Sequence, residues 1–80
     1  MPGEDAAIAA HAEVLRSDAR ALEACAGRLR EVGARLEADG VAPPWLRASV
    51  EAHLAACLAA VADLDAAATR LRRYAERAGR

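Results

Sequence analysis

Asp39-Gly40-Val41-Ala42-Pro43-Pro44 decides how this chain folds, because it is the only turn-like stretch in the interior of the sequence. Gly40 suits the left-handed residue just past a helix end, where a Cβ would be strained. Pro43 and Pro44 cannot continue a helix but suit its first turn, where a missing N–H costs nothing. The spacing predicts helix 1 from about residue 4 to 39, a turn over about 40–43 and helix 2 from about 44 to 78. Each helix would be about 50 Å long at ~1.5 Å per residue.

The composition on both sides of the turn agrees. The 80 residues include 24 alanines and 9 leucines, with no Phe, Asn, Gln or Lys, and all 11 basic residues are Arg. Ala, Leu, Arg and Glu lose little side-chain freedom in a helix, and the residues that favour strands are few. The expectation is one all-α domain over residues 1–80, two long antiparallel helices forming a hairpin. The exclusive use of Arg beside so much Ala reads as the codon bias of a GC-rich bacterial genome. A net charge of −1 gives no global field that would select nucleic acid or a membrane surface. No apolar run approaches the ~20 residues of a membrane span. Met1-Pro2-Gly3-Glu4-Asp5 is acidic and lacks the basic start of a signal peptide. The chain is therefore expected in the cytoplasm, or secreted without a cleaved signal peptide.

Apolar positions recur with the alternating spacing of a heptad seam. Helix 1 carries Ile8, Ala12, Leu15, Ala19, Leu22, Ala26, Leu29, Gly33 and Leu36; helix 2 carries Val50, Leu54, Cys57, Val61, Leu64, Ala68, Leu71, Ala75 and Ala78. Folding at the turn sets Ile8 against Ala75, Ala12 against Leu71, Leu15 against Ala68 and Ala19 against Leu64. Leu22 then faces Val61, Ala26 faces Cys57, Leu29 faces Leu54 and Gly33 faces Val50. Large mostly meets small, which fills an interface without voids. The same register brings Arg16 toward Asp65 and Arg30 toward Glu51, while a one-heptad slip would bring Arg16 toward Arg72. Close packing against Val50 gives Gly33 a reason to lack a side chain; Gly27 has none.

Val14, Val32, Trp45, Leu46, Leu58 and Tyr74 fall off the seam. One flank is smooth and weakly charged, with His11, Cys25 and Val32 on helix 1 and His53, Ala60, Ala67 and Tyr74 on helix 2. Small flat faces let another helix approach, so the expected assembly is a dimer forming a four-helix bundle, with the same chain or a related one as partner. A lone hairpin with a few exposed apolar side chains is the alternative. The expected partner interface is Val32, Trp45, His53, Ala60, Ala67 and Tyr74.

Nothing in the sequence points to catalysis or a cofactor. His11 and His53 lie at different levels of the hairpin, and neither a Cys-x-x-Cys nor a His-Glu-x-x-His spacing occurs. Asp63 and Asp65 diverge around a helix, and no Gly-rich phosphate loop is present. No catalytic residue, metal ligand or cofactor is expected. Cys25 and Cys57 fall at nearly the same level, so two readings stand: a disulfide across the helices, or two buried thiols acting as small apolar residues. Arg70, Arg72, Arg73, Arg77 and Arg80 complement the dipole at the end of helix 2; contact with nucleic acid or an acidic partner is the less favoured role. Trp45 follows Pro-Pro directly and either plugs the open end of the hairpin or anchors a partner.

A helical hairpin of this length, with Trp45 at the inter-helix turn and Tyr74 near the end of helix 2, resembles the Trp-Xaa-Gly proteins of type VII secretion, the early secreted antigenic target family. In Trp45-Leu46-Arg47 the Trp is present, while Arg47 stands where that family has Gly. Tyr74 resembles the tyrosine of the family's Tyr-x-x-x-Asp/Glu export signal, with Ala78 in place of the acid. Trp45 and Tyr74 would then be remnants of an export motif. The resemblance implies homo- or heterodimeric four-helix bundles, export without a cleaved signal peptide, and pairing with larger effectors. A helper subunit that relies on its partner's signal fits the incomplete motif. A generic dimerisation or scaffold module without an export role is the alternative.

Overall fold

A computed structural model describes residues 3–79 of the chain. Met1, Pro2 and Arg80 lie outside the described residues, and with them one end of the acidic N-terminus and one member of the arginine cluster. Two helices account for almost all of the rest: α1, Gly3–Asp39, and α2, Pro44–Ala78. Among the described residues there is no strand.

The turn works through backbone geometry. Gly40 has φ +67°, the left-handed conformation that an L side chain would strain, and its N–H donates to the Leu36 carbonyl at 3.3 Å. Pro43 is the extended N-cap residue of α2 and has no side-chain cap to offer. Its carbonyl accepts the N–H of Leu46 at 3.0 Å and that of Arg47 at 3.4 Å, while Pro44 takes the first helical position. Glu4 and Asp5 in the first turn of α1 and Arg77 in the last turn of α2 suit the respective helix dipoles.

The hairpin is thin, with principal extents of 61 × 14 × 12 Å. Its radius of gyration is 18.0 Å, against roughly 12 Å for a compact globule of this length. The buried residues are Ala12, Ala19, Ala26, Ala68 and Ala75, all on the heptad seam, and no side chain larger than alanine is fully buried among the described residues. Leu15, Leu22, Leu29, Leu54, Leu64 and Leu71 line the same seam but remain half-exposed. Two helices can enclose only the short side chains between their axes; each leucine leans over the edge with one side still in water.

One pair of the expected seam register is seen directly. A Cβ built on Gly33 would lie 3.5 Å from Val50 Cγ1, which places those two residues face to face. That separation is an ordinary contact, so an alanine would fit and close packing does not require the glycine. Gly27 has open space around it.

The flank charges differ from the sequence expectation. The Arg16 guanidinium donates to the Thr69 hydroxyl (Nη2–Oγ1 3.3 Å) rather than pairing with Asp65. Arg72 pairs with Glu13. Among the described residues Arg30 forms no ion pair with Glu51, whose field acts instead on Arg47 one turn earlier in α2. Asp65 and Thr69 each lie two residues from position 67, which the seam register sets opposite Arg16, so the long side chain can reach either.

Candidate functional site

Heptad geometry divides the hairpin into two unlike faces. On the face beside Arg16, polar side chains bridge the helices: Arg16 to Thr69, Glu13 to Arg72, and at the turn Arg47 to Glu37 (Nη1–Oε1 2.9 Å). The Glu37 hydrogen bond, reinforced by that carboxylate's charge, holds the Arg47 guanidinium above its already high ordinary range. Arg16 Nε is buried without a partner, so this face is not fully satisfied either.

The opposite face has no such bridge among the described residues. It carries the line His11, Asp18, Cys25, Val32 on α1 and the line Leu46, His53, Ala60, Ala67, Tyr74 on α2. Of the expected interface residues, Val32, His53 and Tyr74 are exposed there, and Ala60 and Ala67 are half-buried. Val14 adds another exposed apolar side chain at the edge. The outer residues Arg20, Arg28, Glu31, Arg35, Asp63 and Arg70 are all exposed.

Trp45 belongs elsewhere. It lies one residue before Leu46, at the tip of the hairpin, and is 70% exposed. It does not plug the open end. Leu46 is half-buried, and Leu36 and Ala42 line a dimple of about 100 Å³ with Glu37, Gly40 and Arg47. That volume is small beside the ~300–1,000 Å³ of ordinary ligand sites. Val41, 84% exposed, joins Trp45 in making the tip apolar. Sequence reasoning passed over Val41 by treating it as part of the turn. The available signal was its place directly after Gly40, at the outermost point of the turn.

Both cysteines are free thiols. Cys57 is half-buried on the seam, while Cys25 is exposed, and its sulfur accepts a hydrogen bond from Arg28 Nη2 at 3.0 Å. The reading of two buried thiols therefore fails for Cys25, which lies one step off the seam and beyond the cover of α2. His11 and His53 are exposed, and among the described residues no three of His, Cys, Asp and Glu gather as metal ligands. Of the C-terminal arginines, Arg72 is engaged by Glu13; Arg70, Arg73 and Arg77 are exposed. No described helix is long and apolar enough to cross a membrane.

No family model, curated protein or solved structure matches this chain.

Proposed function

We propose that this chain is a small, non-catalytic interaction subunit that completes its core by packing against another helical protein, as the type VII secretion partners and chaperones it resembles do. One observation carries the reading: among the described residues the hairpin buries nothing larger than alanine. Full burial of a leucine contributes roughly 1.5–3 kcal/mol, and here that contribution is left incomplete along the whole seam. A partner laid across the Ala60–Tyr74 flank would cover the leucine edges on that side and bury no intra-hairpin ion pair. The exposure of Trp45 and Tyr74, which leaves both side chains open to a partner, supports this reading.

A scaffold module with no export role is the second reading, and Arg47 favours it. Where the resembled family has glycine, this arginine is occupied with Glu37 in closing the turn. Binding of nucleic acid through the arginine cluster is less favoured, because the Arg72–Glu13 pair interrupts the cluster's charge.

Ala60→Glu combined with Ala67→Arg tests the interaction surface. Light scattering is expected to show a smaller assembly, while circular dichroism shows unchanged helix. A wild-type chain that stays monomeric both alone and when co-expressed with its genomic neighbours would overturn the proposal. Loss of export for Trp45→Ala and Tyr74→Ala, with assembly retained, would separate the secretion role from the scaffold role.

A further inference from the structure

Independently of what covers the flank, we infer that Cys25 and Cys57 form a redox latch: a hydroperoxide oxidises the exposed Cys25, and Cys57 then closes a disulfide that clamps α1 to α2 within one chain. The first argument is level. The register that brings Gly33 to Val50 sets Ala26 opposite Cys57, and Cys25 is the residue before Ala26. Ala26 is fully buried, so the two backbones approach closely in this layer, with only a methyl group facing Cys57. Bridging needs Cα atoms within ~7 Å, which close approach of the helices favours.

The second argument is side. On a helix, residues three and four apart share an edge. Cys25 therefore shares the edge of Leu22 and Leu29, half-exposed leucines of the seam. Cys57 stands between His53 and Ala60, which belong to the flank without ion-pair bridges. Both thiols border that flank, away from the face where Arg16 meets Thr69 and Glu13 meets Arg72. Arg28 holds the Cys25 sulfur through a single exposed hydrogen bond, so rotation of the cysteine side chain frees it to turn toward α2.

Unequal exposure assigns the order of events. Cys25 is exposed and meets the oxidant first, while Cys57 is half-buried. The Cys25 sulfur, its proton given up to water, attacks one oxygen of the hydroperoxide. The O–O bond breaks, the leaving oxygen recovers a proton, and Cys25 becomes a sulfenic acid. The Cys57 sulfur then attacks the Cys25 sulfur, the S–O bond breaks, and the departing hydroxide takes up the Cys57 proton as water. Two thiols are oxidised by two electrons in all, and one hydrogen peroxide is reduced to two waters. The closed loop spans residues 25–57 and contains the whole turn, so the bridge restricts the unfolded chain of a domain whose core is thin.

The test treats the reduced full chain, kept dilute, with hydrogen peroxide. Mass spectrometry without reductant is expected to show one chain lighter by two hydrogen atoms, and trypsin to release residues 21–28 linked to residues 48–70. The thermal midpoint, followed by circular dichroism, is expected to rise by on the order of 10 °C and to return when dithiothreitol is added. Cys25→Ser, a change at an exposed position, should fold normally and show no peroxide-dependent rise. Cys57→Ser should leave Cys25 as a sulfenic acid that dimedone traps. Wild-type chain that gains oxygen at Cys25 without linking to Cys57 would overturn the latch. So would a bridge that joins two chains, or an intrachain bridge that lowers the midpoint.

Discussion

Ala19 lies where α1 and α2 come together: it is 2% exposed, and the register that brings Gly33 to Val50 sets it opposite the half-buried Leu64. Ala19→Leu replaces a methyl group with an isobutyl group in a layer that already holds a leucine. The helices must spread or Leu64 must leave its rotamer, and either response loosens the neighbouring layers at Ala12 and Ala26, both fully buried. Overpacking of this kind costs about 1–3 kcal/mol. An 80-residue domain has a total stability of roughly 4–12 kcal/mol, so the loss is a large fraction of it. At ~4–8 °C per kcal/mol for a small domain, the melting temperature should fall by on the order of 5–20 °C. Thermal unfolding followed by circular dichroism at one fixed protein concentration measures this, because dimerisation itself shifts the midpoint. Ala10→Leu, on the exposed side of the same helix, is the control and should change stability by no more than about 0.5 kcal/mol. An unchanged or raised midpoint for Ala19→Leu would refute the seam assignment.

Other substitutions probe separate parts of the account. Gly27→Ala should stabilise the hairpin by roughly 1 kcal/mol in chemical denaturation, because nothing lies within 4 Å of the added Cβ and helix propensity improves. Gly40→Ala should destabilise it by about 1–2 kcal/mol in the same assay, since φ +67° strains any side chain. Glu37→Ala breaks the exposed Arg47 pair at the turn and should move the denaturation midpoint only slightly, with little coupling in a double-mutant cycle with Arg47→Ala, because solvent screens exposed pairs. In dilute reduced protein both thiols should titrate, Cys25 faster than half-buried Cys57; Cys25 should slow as concentration rises and the flank is covered.

Much of the architecture was legible in the sequence because it depends on backbone chemistry and on period. Gly40 and the proline pair fixed the turn, and the recurrence of Ala12, Ala19 and Ala26 against leucines fixed which side of α1 meets α2. Side-chain reach was not legible in the same way. Arg16 meets Thr69 rather than Asp65, although both lie two residues from the position opposite it, and position counting does not distinguish the two. The orientation of Trp45 depends on the rotation of the first turn of α2 about its axis, and that rotation aims it outward beside Val41 rather than across the open end. Cys25 shows how sharply a single step matters: the neighbouring Ala26 is fully buried, while Cys25 is exposed. The flank itself was visible as a run of small residues on α2, but the half-exposed state of the seam leucines required the geometry of two helices alone.

The mass of the wild-type chain in solution tests the central claim most directly. Sedimentation equilibrium across a range of concentrations should show the 8.4 kDa chain associating reversibly into a species of twice that mass, with the dimer favoured as concentration rises. A single 8.4 kDa species at every concentration, unchanged when the chain is mixed with the helical proteins encoded beside it, would contradict the account and leave a hairpin stable by its alanine seam alone.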